Sequence, residues 1–413
     1  MKKSSGNKKK IINDPVHGFI TITNNILHDI IEHPYFQRLR RIKQLGLTHL
    51  VYPGAMHTRF QHALGAMYLM DEALKTLQQK KNNVSAKEIK AAKAAILMHD
   101  IGHGPFSHAL EHSIVNGITH EEISMLMMHK LNKDFDGKLD TALEIFQGKH
   151  SKHFLSQLIS SQLDVDRMDY LRRDSFFTGV SEGVIGTQRI LKMLDVKNDA
   201  LVVEEKGIYS IDNFLNSRRI MYWQVYLHKT SLSAEFILIN ILKRAKALAK
   251  EGANLFASPA LKFFLYNPIG IDDFKSSSEP LQQFTQLDDF DILTSVKVWQ
   301  THEDKILSDL CKRLINRDLF KVEITENPIK KEKLLQLKTK LINQIPFTSS
   351  HPDYYVFSGH LENHFYDYSK DNIRILLNNG KVMDLSEVSD QWKNNTSGFI
   401  TEKQFICYPK NLK

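Results

Sequence analysis

The segment Leu97–His112, LMHDIGHGPFSHALEH, constrains this chain more than any other stretch. Apolar residues at helical spacing run from Ser85 to His99 and stop there. Gly102, Gly104 and Pro105 then force a turn, because glycine reaches backbone conformations closed to other residues and proline cannot continue a helix. Five histidines fall in the window from His99 to His120: His99, His103, His108, His112 and His120. Packing alone does not call for imidazoles around a Gly-Pro turn. The adjacent His99-Asp100 pair, at a helix end, offers one imidazole and one carboxylate to a single cation. His62, in RFQHALG, lies 37 residues before His99 on another helix, and Asp166, in LDVDRMDYLRRD, lies 66 residues after Asp100. Two imidazoles and two carboxylates suit octahedral Mn, Fe or Mg chemistry with positions left for water and substrate. A tetrahedral structural zinc would favour cysteines.

Two further segments carry chemistry-bearing side chains. On a helix over Asp164–Asp174, the residues Asp166, Tyr170, Arg173 and Asp174 share one face. The plain alternative is a solvated face with an Asp169–Arg173 ion pair, although Arg167 could reach a phosphate. In Ser217–Lys229, SRRIMYWQVYLHK, the residues Arg218, Tyr222, Tyr226 and Lys229 share a face. Aromatics at such spacing are usually core, and Trp223 is expected there; basic residues interleaved with tyrosines also suit a polyphosphate beside a sugar.

The 413 residues are 42% hydrophobic and 25% charged, with 19 Gly, 11 Pro and 2 Cys, which excludes collagen-like, disordered and disulfide-scaffold classes. No uninterrupted apolar run approaches the ~18 residues of a membrane span. The start, MKKSSGNKKK, carries five lysines with no apolar stretch behind it, unlike a signal peptide. Cys311 and Cys407 form no CxxC pair and fit a reducing compartment, so a cytoplasmic location and no membrane contact are expected. The net charge of +8 attracts polyanions, with nucleic acid a secondary expectation beside a solubilising tail. The chain reads as helices to about residue 345, among them Ile26–Glu32, Ser217–Glu251 and Leu307–Asn316, then as mixed α and β. Residues 252–290 read as loops and short helices. Asn379-Gly380, between the apolar runs of Ile373–Leu385, signals a hairpin.

Taken in order, NDPVHG, FQRLRRIKQLG, YPGAMHTRFQHALG, HDIGHGPFSH, DVDRMDYLRRD and the Arg218–Lys229 helix resemble the HD-domain deoxynucleoside triphosphate triphosphohydrolases. That family includes bacterial dGTPase-like enzymes and sterile-alpha-motif HD-domain dNTPases. The likeness covers roughly the first 230 residues, and NRDLFK (316–321) is similar too. It implies a mainly α fold, with an HD-domain helical core at about 57–180 inside a catalytic region 1–330. A small mixed α/β part, 331–413, would follow. It further implies a metal-dependent reaction releasing deoxynucleoside and triphosphate, with dGTP as the first substrate to test.

By the same resemblance His62, His99, Asp100 and Asp166 are the ligands of a divalent Mn, Fe or Mg ion. His108 with Glu111, where the family commonly has Asp, is the catalytic pair. His120 and Glu121 support it, and His103 contacts the α-phosphate. Arg59, Arg167 and Arg218 hold phosphates. Gln44, Leu45, Tyr170, Asp174 and Tyr226 contact sugar and base. Lys10, Ile11, Asn13, Glu32, Gln37 and Arg40 match parts of a nucleotide effector site, with Arg317 and Lys321 from the far end. That site implies a homo-oligomer (dimer, tetramer or hexamer). The alternatives are another HD-type phosphohydrolase, acting on other nucleotides or nucleic-acid ends, and a nucleotide sensor without turnover.

Overall fold

The helix that ends in His99 is a consequence of local chemistry. Ser85 and Glu88 cap its first turn reciprocally, and Ala91, Ala92, Ala94 and Ala95 keep its buried side thin. In the computed structural model, which describes residues 9–106, 110, 113, 115, 117–364, 372–392 and 400–412, this helix spans Ala86–Met98. It packs against the 21-residue helix Arg59–Gln79, which packs in turn against Val165–Thr178. Asp164 caps that last helix by accepting from the Arg167 N–H, and Gly179, at φ 76, ends it in the left-handed region.

Two glycines set the closeness of this core. A Cβ on Gly65 would lie 2.0 Å from Asp169 Oδ1 and 2.2 Å from the Arg173 guanidinium, so the Arg59–Gln79 and Val165–Thr178 helices can meet only through a bare backbone. A Cβ on Gly102 would lie 2.3 Å from Ser124 N and 2.4 Å from His120 O. The turn after Asp100 therefore lies directly on the helix His120–Asp134. There Ser124 Oγ donates to His99 O at 2.9 Å and accepts from Gly102 N at 2.9 Å.

The fold is mainly α, as expected. The strands, however, begin earlier than residue 345. Lys10–Asp14 and Gly18–Ile22 form an antiparallel hairpin. Leu194–Lys197 and Ala200–Glu204 form another, joined by Asn198 and Asp199, both at positive φ. Asn-Asp supports such a primed turn, and Ala200–Glu204 is rich in Leu and Val, so the signal was present but short. Ala200–Glu204 runs parallel to Arg374–Leu376, which pairs with Val382–Asp384 across Gly380 at φ 83. This is the hairpin anticipated from Asn379-Gly380. A second sheet places Ile400–Tyr408 between Lys321–Thr325 and Phe357–His364. Both sheets join strands from either side of residue 330.

The long helix expected over Ser217–Glu251 is divided. Ile208–Met221 widens into a π-helical turn at Tyr222–Tyr226, and a new helix starts at Lys229, capped by His228 Nδ1 accepting from Thr230 N at 3.2 Å. Trp223 is half-buried rather than core, with Lys403 Nζ 4.5 Å from its ring centroid. Residues 252–290 hold the short helices Pro259–Tyr266, Ile271–Ser276 and Glu279–Phe284.

The segment Leu287–Asp289 fastens two distant stretches together. The fully buried Arg38 donates from Nε to Leu287 O at 2.7 Å, and its two terminal nitrogens donate to His103 O at 2.8 Å and Ile101 O at 3.3 Å. Arg41 pairs with Asp288, and Asp289 Oδ2 accepts from Lys43 N at 3.0 Å. Burial pushes the Asp289 carboxyl up to about 6, against the backbone donors Lys43 and Phe106.

Two outcomes follow from this packing. Gly65→Ala is expected to destabilise the protein by about 1–3 kcal/mol, because the added methyl meets pinned side chains; a urea unfolding curve reads it. Asp289 binds its proton more tightly folded than unfolded, so it costs stability as pH rises from its ordinary range, near 4, to about 6. Asp289→Asn should therefore gain stability relative to the parent at pH 7.5 and gain less at pH 4.5, measured by urea midpoints.

Candidate active site

His62 sits one turn into the Arg59–Gln79 helix, and His99 lies just past the end of Ala86–Met98. The Nδ1–H of His62 donates to Asp169 Oδ2 at 2.8 Å, and that of His99 to Ile96 O at 2.6 Å. Each ring is left with a buried Nε2 that has no hydrogen-bond partner. Both nitrogens face Asp166 Oδ1, at 3.0 Å from His62 and 3.4 Å from His99. The three donor atoms lie within 4.8 Å of one another. Tautomers fixed from the far side, with lone pairs converging beside a carboxylate, fit a divalent metal.

The electrostatics agree. Burial opposes charge on Asp166, but the His62 and His99 rings hold its carboxyl well below the usual carboxylate range. Burial also opposes a charged His62, yet Asp166 and Asp169 outweigh it and raise the ring to about 10. The field that keeps His62 protonated is one a cation would occupy instead.

Asp100 borders this cluster and connects it outward. Its Oδ1 lies 3.3 Å from His99 Nε2 and 3.2 Å from His103 Nε2; its Oδ2 lies 3.8 Å from His62 Nε2 and 2.6 Å from an Arg59 guanidinium nitrogen. Burial and the Arg59 charge push His103 down to about 3, so the ring is neutral. It stacks on His120 with centroids 3.9 Å apart, and His120 Nε2 lies 3.4 Å from Glu121 Oε1. His108 and Glu111 lie outside the described residues.

Arg59, His103 and His120 line one side of a cavity of about 670 Å³. Gln44, Leu45, Tyr170, Asp174 and Tyr226 line it too, so these sequence-predicted residues meet around one space. Gln44 is placed by its backbone N–H donating to His57 O at 3.0 Å. Asp174 has both oxygens engaged, Oδ1 with His57 Nε2 at 2.7 Å and Oδ2 by the Tyr226 hydroxyl at 2.8 Å. Arg167 pairs with Asp164, and Arg218 donates to Gln162 Oε1 at 3.3 Å; neither is among the described lining residues, though both lie near Tyr170.

Sequence reasoning missed the far wall. Phe236, His360, Leu361 and Phe405 are among the lining residues there, Phe236 and Phe405 stacked at 4.5 Å, and Tyr222, named above with Tyr226, lines the cavity too. His360, Leu361 and Phe405 come from the strands Phe357–His364 and Ile400–Tyr408 of the second sheet, which carry no motif. It also misplaced Asp169, which pairs with Arg173 but is fully buried rather than solvated. Its partner His17 stands in NDPVHG, a motif quoted only for likeness.

The candidate effector residues divide into two groups. Lys10 pairs with Glu32; Gln37 donates to Ile31 O at 2.7 Å; Arg40 donates to Gln37 Oε1 at 2.9 Å and lies 3.6 Å over the Phe60 ring. Ile11 and Asn13 are exposed on the nearby hairpin strand. Arg317 instead donates to Leu50 O at 2.9 Å, and Lys321 pairs with Glu323 at 2.8 Å. No hydrogen bond or ion pair among the described residues joins the two groups within one chain.

The HD domain family matches residues 59–174, and the HD associated region matches 185–255. The crystal structure of a phosphohydrolase from Bacteroides thetaiotaomicron is 52% identical with a TM-score of 0.94, over 97% of this chain and 100% of that one. The uncharacterized protein YwfO of Bacillus subtilis is 34% identical over 98% of this chain and 93% of its own length. A Dictyostelium discoideum protein named deoxynucleoside triphosphate triphosphohydrolase SAMHD1 homolog is 33% identical over 60% of this chain and 51% of its own. Among the described residues no helix is long and apolar enough to cross a membrane. With both matches in sequence order, a His-His-Asp cluster that could hold a metal ion inside the first, and relatives similar along almost the whole chain, the chain belongs to the HD-domain phosphohydrolases.

Proposed function

We propose that the protein hydrolyses deoxynucleoside triphosphates, dGTP first among them, to deoxynucleoside and inorganic triphosphate. The observation that carries this reading is the adjacency of two spaces. Asp100 touches the His62–His99–Asp166 cluster on one side, and on the other touches Arg59 and His103, which line the cavity. A volume of about 670 Å³ falls within the range of small-molecule sites, roughly 300–1,000 Å³. The Dictyostelium relative's name supports the substrate class.

His62, His99, Asp100 and Asp166 hold the divalent Mn, Fe or Mg ion, which supplies Lewis-acid activation of water and of a phosphate oxygen. Arg59, a cation at the cavity wall, draws the α-phosphate to that end, with Arg167 and Arg218 reaching the outer phosphates. Water adds to the α-phosphorus and the bond to the 5′ oxygen breaks. His108, with Glu111 as the acidic partner the resemblance implies, gives that oxygen its proton and is recharged by the proton the attacking water loses. His103, stacked on His120, contacts the α-phosphate, and His120 with Glu121 supports the His108–Glu111 pair. At the other end Gln44, Leu45 and Tyr226 hold the base and sugar. Asp174 accepts from the 3′ hydroxyl, and Tyr170 crowds a 2′ hydroxyl, which selects deoxyribose. Lys10, Ile11, Asn13, Glu32, Gln37 and Arg40 from one copy, with Arg317 and Lys321 from another, bind an activating nucleotide in a homo-oligomer.

Product analysis by ion exchange tests the reaction, with each dNTP alone and in pairs, in Mn or Mg. Deoxynucleoside with intact triphosphate is expected, and a lag with one dNTP that a second abolishes would mark the activator. Orthophosphate or monophosphates would instead favour another HD-type phosphohydrolase, and no consumption a sensor. His62→Ala and Asp166→Asn should lose both retained metal and turnover, by at least about 10²-fold for turnover; full activity in either would refute the assigned centre.

A further inference from the structure

We propose that Asp14 and His17, in the turn of the N-terminal hairpin, are positioning residues for the His62 imidazole and act through Asp169. This rests on the reading that His62, His99 and Asp166 hold a divalent ion.

For Nε2 of His62 to point at Asp166, the ring must be fixed from its other side. That is done by the Nδ1–H bond to Asp169 Oδ2. Asp169 is itself held from three directions. His17 Nε2 lies 2.6 Å from Oδ1, Arg173 Nε donates to Oδ2 at 2.9 Å, and an Arg173 terminal nitrogen donates to Oδ1 at 3.0 Å. An ionised carboxylate only accepts, so both His17 Nε2 and His62 Nδ1 carry protons. Burial opposes the charge on Asp169, but Arg173, His17 and His62 hold its carboxyl well below the usual carboxylate range.

The chain of bonds then leads into the hairpin. Arg173 also donates to Asp14, at 2.8 Å to Oδ2 and 3.3 Å to Oδ1. The same Asp14 Oδ1 accepts from Val16 N at 3.0 Å and His17 N at 2.9 Å, closing the turn that presents the His17 ring. Arg172 adds a bond to Val16 O at 3.0 Å. The side chains of His17, His62, Asp169 and Arg173 are wholly shielded from solvent, and Asp14 is 3% exposed. Shielding means that water cannot replace a lost partner. The HD domain match begins at residue 59, so a segment outside it supplies the outer shell of the metal-binding imidazole.

Partners behind a ligating histidine typically change metal affinity by about 10–100-fold when removed. The test is Mn(II) binding to the full chain, read from the paramagnetic resonance signal of free Mn(II). The chains compared are wild type, His17→Ala, His17→Gln, Asp14→Asn, His62→Ala and Arg244→Ala. His17→Ala and Asp14→Asn should weaken binding by about 10–100-fold. His17→Gln, whose amide can donate to Asp169, should recover most of it. Arg244→Ala breaks a pair with Asp304 that touches none of these residues, so it should lower thermal stability without changing affinity. The proposal is overturned if His17→Ala binds like wild type. It is also overturned if His17→Ala, His17→Gln and Arg244→Ala all weaken binding in proportion to lost stability. If wild type and His62→Ala alike bind no Mn(II), Fe(II) or Mg(II), the metal reading fails first and takes this proposal with it.

Discussion

One buried carboxylate, Asp169, has most of the central structure arranged around it. An ionised group without solvent must be neutralised and hydrogen-bonded by its surroundings, or the fold does not tolerate it. Here Arg173, His17 and His62 meet that demand together. Meeting it fixes the spacing of two helices, which is why residue 65 has no side chain. It also anchors the N-terminal hairpin through Asp14 and leaves the His62 lone pair aimed at Asp166. Stability and the orientation of the His62 ring are thus served by the same bonds.

A second constraint acts on the other side of the site. The turn after Asp100 has little secondary structure to hold it. It is held instead by Ser124, which bonds both His99 O and Gly102 N, and by Arg38, which takes the carbonyls of Ile101 and His103. Arg38 also reaches Leu287 O, and Asp289 reaches Lys43 N, so the Lys43–Thr48 wall and the His103 wall of the cavity are fastened by one segment. Residues 287–289 touch no candidate ligand, yet they determine how far apart the two walls stand.

Legibility varied with the kind of information each residue carries. His62, His99, Asp100 and Asp166 could be read because rare residue types recur at helix ends and beside a Gly-Pro turn. Spacing put Tyr170, Asp174 and Tyr226 on helical faces with other polar residues, but only the resemblance pointed to Gln44 and Leu45 and to one site for all five. Asp169 was legible as a partner of Arg173 but not as buried, because an i, i+4 pair looks the same on a wet face and a dry one. The division at Tyr222–Tyr226 was not legible, since helical periodicity continues through it while the backbone inserts a wider turn.

The sequence by itself determined the helices, their caps, the glycines that allow close approach, and the set of imidazoles and carboxylates available to a cation. These depend on interactions within a few residues, where propensity and spacing act directly. Tertiary structure alone decided which ring nitrogen of each histidine is free, that Asp100 links the cluster to Arg59, and that His360, Leu361 and Phe405 close the cavity. It also decided that the hairpin near residue 14 lies behind the imidazole of His62. Those outcomes depend on burial and on partners distant in the chain, and a carboxylate's surroundings are not encoded in its neighbours along the sequence.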